Sequence, residues 1–239
     1  MRPLDCLIPE ADAAGHPPPL TVWPLRPEGL AAALDSLPAE RAAFVRASGF
    51  AAAEHELCLL PGPEGLAGAW FGLGAASGPA GGGPHRFGAL PDRLPPGTLA
   101  RLAPGDYPMA EAVLGFCLGA YRYAEYRAPA RPVPKLLAPA GTEAAAALAR
   151  AMWLARDLIN RPANALGPEE LAGAVADLAR RFAARCEIVG GAALAEAYPA
   201  IHAVGAGSDR PPRVARLEWE GPGAGPAAPL VVPCGKGVC

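Results

Sequence analysis

Lysine is almost missing from this sequence. Of its 21 Lys and Arg residues only Lys135 and Lys236 are lysines, so nearly every cationic position carries a guanidinium, which keeps its proton in a protein. Aromatic residues make up 6% of the chain and charged residues 18%, which leaves its cores to be built from alanine and branched aliphatics. No apolar run approaches the roughly 18 residues of a membrane-spanning helix, and a membrane partner is not expected. The opening MRPLDCLIPEAD carries acids where a secretory signal carries an apolar stretch, so a cytoplasmic location is expected. No CxxC pair occurs. Cys6, Cys58, Cys117, Cys186, Cys234 and Cys239 are scattered, as in a protein whose thiols stay reduced. A net charge of -2 gives no broad attraction to nucleic acid or to an anionic membrane surface.

What is present is enough apolar residue, 51% of 239, for one large domain or two modest ones. The first half alternates short strands and helices. Leu20–Leu25 reads as a strand, Pro27–Leu34 and Pro38–Ala47 as helices, and Glu56–Gly62 with Leu66–Gly74 as a hairpin. Gly72–Gly88 is the most glycine-rich stretch, but it lacks the third glycine and following helix of a dinucleotide loop and reads as a surface loop. Gly97–Ala103 is a further strand. Met109–Arg127 is a helix with an apolar stripe through Val113, Phe116, Leu118, Ala120 and Tyr121. Four prolines between Ala128 and Gly141 break the pattern there.

The second half opens with a long helix capped at Thr142, with Leu148, Met152, Ala155 and Ile159 as its buried face. NRPANALGP (160–168) ends it and starts another helix at Pro168, with Glu169 and Glu170 in the first turn. CEIVGG, IHAVGAGS, RVARLEWE and PLVVPCG read as strands, and the alternation predicts an α/β fold with a largely parallel sheet in this half. Asp157, Asn160 and Asn164 are read as helix-ending residues, His202 as a histidine inside an apolar strand, and Arg210 with Arg213 as a solvated turn. None of the four histidines has metal-ligand spacing.

Lys236 follows the last apolar run and stands between Gly235 and Gly237, beyond the carboxyl end of a strand, where open α/β sheets bind ligands. An ordinary turn lysine fits. A phosphate loop does not, because Leu230 and Gly237 stand where it needs glycine and Ser or Thr. A neutral amine coordinating a metal also fits: losing its proton at pH 7 costs roughly 4–5 kcal/mol, at 1.36 kcal/mol per pK unit, which burial beside a dication can offset. Spacing alone does not choose between the first and the third.

ARDLINRPANALGPEEL (155–171), IHAVGAGSDRPPRVARLEW (201–219) and GKGVC (235–239) occur in the order and at the spacings of the leucyl aminopeptidases, and the sequence resembles that cytosol aminopeptidase family, M17. LGFCLGAYRYAEYR (114–127) resembles the segment that closes the family's first domain. The resemblance implies metal-assisted hydrolysis by two divalent ions, Mn2+ or Zn2+, with Lys236 a metal ligand. It implies peptide substrates with a free N-terminus and a homo-oligomer, a hexamer in the family. In the family the chain continues into Phe-Asp-Thr-Gly-Gly, whose aspartate bridges both ions; this sequence stops two residues short of it. The remaining ligands, a second lysine and an arginine near the reacting carbonyl would also lie beyond. The expected organisation is therefore an N-terminal mixed α/β domain over 1–128, a proline-rich linker over 129–141, and the truncated beginning of a catalytic domain over 142–239. No catalytic or other cofactor-binding residue is expected within the chain, and the fragment is expected to be inactive alone. The alternative is a non-catalytic assembly or binding module derived from such an enzyme.

Overall fold

The structure is a computed structural model that describes residues 2–76, 83–221 and 225. It divides into two compact units, Met1–Arg156 and Asp157–Cys239. The first is built on one six-stranded sheet in the order β1 (Leu7–Pro9), β6 (Lys135–Ala138), β5 (Leu99–Leu102), β2 (Leu20–Leu25), β4 (Gly65–Gly72) and β3 (Leu57–Gly62). Every pairing is parallel except the β3–β4 hairpin, whose register shifts between Leu60 and Pro61. Both outer strands carry a proline, Pro9 in β1 and Pro61 in β3.

Side-chain alternation explains the two faces. On the first, Val22, Ala69 and Phe71 join Val113, Phe116 and Cys117 of α4 (Met109–Ala120) in the main core. Burying Phe71 and Phe116 completely stabilises by about 1.5–3 kcal/mol each. On the second, which also carries α1 (Leu30–Asp35), Trp70 packs with Val45 of α2 (Ala39–Ala47) and with Phe50, at 6.0 Å between the Phe50 and Trp70 ring centroids. Small residues set the spacing on the first face. A Cβ on Gly119 would fall on the Gly88 carbonyl oxygen and one on Gly115 on that of Pro84, so α4 lies directly against the 3-10 turn Pro84–Phe87, which leads into the short α3 (Leu90–Arg93).

Three expectations for this unit need revision. The proline-rich stretch is not purely a linker, because it supplies β6, which pairs with both β1 and β5, and the compact unit runs on to Arg156. The helix predicted to reach Arg127 stops at Ala120, and Tyr121 is extended with ψ 129°. Side chains take over its last carbonyls: Trp153 Nε1 donates to Cys117 O at 2.8 Å, Arg156 Nη1 to Leu118 O at 2.7 Å, and Arg122 Nη1 to Gly119 O at 2.7 Å. These bonds supply the partners that a helix end otherwise lacks. On α5 (Glu143–Asn160) the buried residues are Ala145, Ala149 and Trp153, while Leu148 is 50% and Ile159 63% exposed. The Trp153 ring sets the helix phase. It meets Tyr121 edge-on at 5.6 Å and carries the Arg2 guanidinium over its face at 4.5 Å. Thr142 does take the cap position, its carbonyl accepting from Ala146 N at 3.0 Å, but its hydroxyl turns back to Pro139 O at 2.6 Å.

In the second unit α6 (Pro168–Arg181) is followed by β7 (Arg185–Gly190), α7 (Gly191–Ala197), α8 (Pro199–Gly205) and β8 (Arg213–Glu218). IHAVGAGS is thus helical at its start rather than a strand: Pro199 presets the first helical φ, and His202 lies exposed on α8. The described strands of this unit form an antiparallel pair, Arg185 opposite Glu218 and Gly190 opposite Arg213. Among the described residues the largely parallel sheet belongs to the first unit. The strand expected at PLVVPCG lies outside the described residues.

Two predictions follow from the packing. Gly119→Ala should destabilise the first unit by about 1–3 kcal/mol through overpacking, overriding the ~1 kcal/mol helix preference for alanine; urea denaturation followed by circular dichroism measures it. Iodoacetamide under native conditions should alkylate exposed Cys186 and leave buried Cys6, Cys58 and Cys117 intact, because the thiolate is the reacting form and a hydrogen bond with Cys117, together with burial, pushes the Cys6 thiol up. Peptide mapping by mass spectrometry reads the outcome.

Candidate functional site

Lys236, which the family resemblance implies is a metal ligand, lies outside the described residues, as do Cys234 and Cys239. The described part of the same unit shows how the NRPAN segment is built. The helix α5 ends with Arg161 N donating to Asp157 O at 3.1 Å. A tight turn follows, in which Ala165 N and Leu166 N both donate to Pro162 O at 2.9 Å. Leu166 is 2% exposed and anchors the turn. Gly167 then begins α6, and Glu170 reaches back to accept from the Gly167 N–H at 2.9 Å, the carboxylate half of a capping box.

Two arginines hold this first turn. Arg210 donates Nη2 to Glu170 Oε2 and Nη1 to the Ala163 carbonyl, joining the turn before α6 to the helix itself. Arg213 Nη2 stands 3.5 Å from Glu169 Oε2. A Cβ at 167 would overlap the Arg210 guanidinium, so a larger residue there would push the arginine off this turn. Arg210 and Arg213 are therefore a clamp on α6 rather than a solvated turn. Sequence reasoning missed this because the partners are forty residues or more apart, and no local pattern links an arginine beside a proline pair to an acid in a helix start. Asp157 and Asn160 have partners of their own. Among the described residues no group of three or more His, Cys, Asp or Glu is placed to hold a metal ion.

The Glu170 carboxyl is held below its ordinary range by the N–H of its own residue first, then by the Gly167 N–H and the Arg210 guanidinium. A folded-state pKa below the unfolded one contributes stability that is present above the unfolded value and lost as pH falls through the folded one. Acid should therefore weaken the second unit as pH drops below about 4.3, the ordinary glutamate value, and Glu170→Gln should flatten that dependence. Thermal unfolding of both proteins between neutral and acid pH checks it.

The family comparisons match this architecture. The model of the M17 aminopeptidase N-terminal domain covers residues 19–139, just over half of the chain, and that of the cytosol aminopeptidase family catalytic domain covers residues 153–239. A probable cytosol aminopeptidase of Mycobacterium ulcerans is 38% identical over 138 residues, 52% of this chain and 26% of the relative. One from Methylorubrum extorquens is 36% identical over 152 residues, 56% of this chain and 30% of the relative. Among solved structures, the cytosol aminopeptidase of Coxiella burnetii superposes with a TM-score of 0.79 at 31% identity, covering 90% of this chain and 46% of that one. The bottromycin maturation enzyme BotP in complex with Mn gives 0.69 at 29% identity, covering 85% and 45%. The matches thus span less than a third of these curated relatives and just under half of these solved chains. With both domain models matched in order along one polypeptide, the chain belongs to the M17, or cytosol aminopeptidase, family.

Proposed function

We propose that the protein these residues belong to is a metal-dependent aminopeptidase that releases N-terminal residues from peptides in the cytosol, with Lys236 as one metal ligand. The observation that carries this reading is the catalytic-domain match over 153–239, which includes the lysine between Gly235 and Gly237. The manganese in the BotP structure supports metal dependence. Two divalent ions, Mn2+ or Zn2+, would polarise the scissile carbonyl and supply an activated water.

The described residues do not fit such a pair of ions. Hard or borderline dications call for several carboxylate or imidazole donors, and no such group is assembled among them. Lys236 alone offers a single nitrogen. No catalytic step is therefore assigned to a described side chain. The second reading, an assembly or binding module, is our proposal for the 239-residue chain when it acts alone.

Assaying the 239-residue chain on leucine p-nitroanilide with manganese should give no metal-dependent release of p-nitroaniline; turnover would show that the ligand set is complete within it. In a polypeptide carrying the whole catalytic domain, Lys236→Arg should lower kcat at least a hundredfold, on the order of 3 kcal/mol, because a guanidinium cannot donate a lone pair to a metal. An unimpaired Arg variant would remove Lys236 from the ligand set.

A further inference from the structure

One guanidinium within the 3-10 turn Pro84–Phe87 and one beside it have no carboxylate partner among the described residues. Arg86 is only 4% exposed. It donates to the Leu73 carbonyl, reaches Ala75 O at 3.4 Å from Nη1 and 3.3 Å from Nη2, and leaves its buried Nε without a partner. Arg156, on the other side, places Nη1 on Leu118 O at 2.7 Å and stacks its guanidinium over the Tyr121 ring at 5.4 Å. Among the described ion pairs neither arginine meets an acid. Glu54, on the neighbouring loop, lies 3.7 Å from His55 Nε2, and that imidazole nitrogen is 3.4 Å from the His85 carbonyl.

Beside this turn the first unit has a cleft of about 170 Å³. His85 and Arg156 form part of its wall, and Gly88, Gly115 and Gly119 expose bare backbone in it. Its floor is fixed, since a Cβ on either helix glycine would strike the turn. The volume is that of about six water molecules at roughly 30 Å³ each, room for one small ion or the head of a larger molecule. Arginine carries five N–H donors in a planar fork, and here one nitrogen is engaged with Leu118 O. The remaining donors match the paired oxygens of a carboxylate or phosphate. His85, exposed on the opposite element, also lines the cleft, and an imidazole can supply a second donor. The buried charge of Arg86, which does not line the cleft, adds to the positive field around the turn.

We propose that this cleft binds a small oxyanion, a carboxylate or a phosphate, gripped by Arg156 and His85. The site lies in the first unit, uses neither Lys236 nor a metal, and stands apart from the peptidase reading.

Isothermal calorimetry on the 239-residue chain, with inorganic phosphate and with acetate at an ionic strength held constant by chloride, tests the proposal. At least one of the two should bind saturably at one site. His85→Ala and Arg156→Gln should each weaken that binding about tenfold or more, the loss of one charge-assisted hydrogen bond. Arg93→Gln, an exposed arginine outside the cleft, should bind as the parent does. Binding of phosphate with acetate silent assigns a phosphate-bearing ligand, and the reverse assigns a carboxylate. Because Arg156→Gln also removes the bond to Leu118 O, the exposed His85→Ala variant keeps the test independent of folding. No saturable binding of either anion, or equal binding by parent and His85→Ala, overturns the proposal.

Discussion

The carboxyl end of α4 is the point on which the first unit depends. A helix that stops inside a protein leaves carbonyls without partners, and each buried one left so costs about 1–3 kcal/mol. Here an indole and two guanidinium groups, from Trp153, Arg156 and Arg122, meet those carbonyls. Two of the three come from α5, so the bonds that end one helix also seat the next. Arg2 then closes over the faces of Trp153 and Tyr121 at 4.5 and 5.1 Å, tying the amino terminus to the same place. Arg156 serves twice, as a partner for Leu118 O and as the cationic wall of the cleft beside it.

Glycine fixes the other side of α4. With Gly115 and Gly119 against the Pro84 and Gly88 carbonyls, the helix cannot turn about its axis without collision. That leaves the cationic turn Pro84–Phe87 rigidly opposed to α5. The second unit uses a different device, a salt-bridged clamp. Glu170 accepts from Gly167 N and from Arg210 together, so the helix start and the approach to β8 are set by one carboxylate.

Legibility followed the range of the forces involved. The hairpin Leu57–Gly72, the strands Leu20–Leu25 and Leu99–Leu102 and the start of α5 could be read because apolar alternation, turn residues and capping act over a few residues. The order of the strands could not, since β1 and β6 pair across more than a hundred residues of chain. The buried face of α5 was misread because alanines do the packing while Leu148 faces out. IHAVGAGS was misread because its β-branched residues suggested a strand, whereas Pro199 and the alanines favoured a helix. The family could be read from three ordered motifs, and the matched domain models agree with it. The oxyanion cleft could not be read at all, because His85 and Arg156 are seventy residues apart and gain meaning only across α4.

The prolines on both margins of the six-stranded sheet have a consequence for how copies of this protein meet. A sheet grows when an outer strand offers a row of free N–H groups to a newcomer. Pro9 has no N–H to offer, β1 is only three residues long, and Pro61 sits at a register shift in β3. Neither margin is a template for another strand. Strand addition at either margin is thereby disfavoured, which guards this α/β layer against fibre-like stacking while it stays folded.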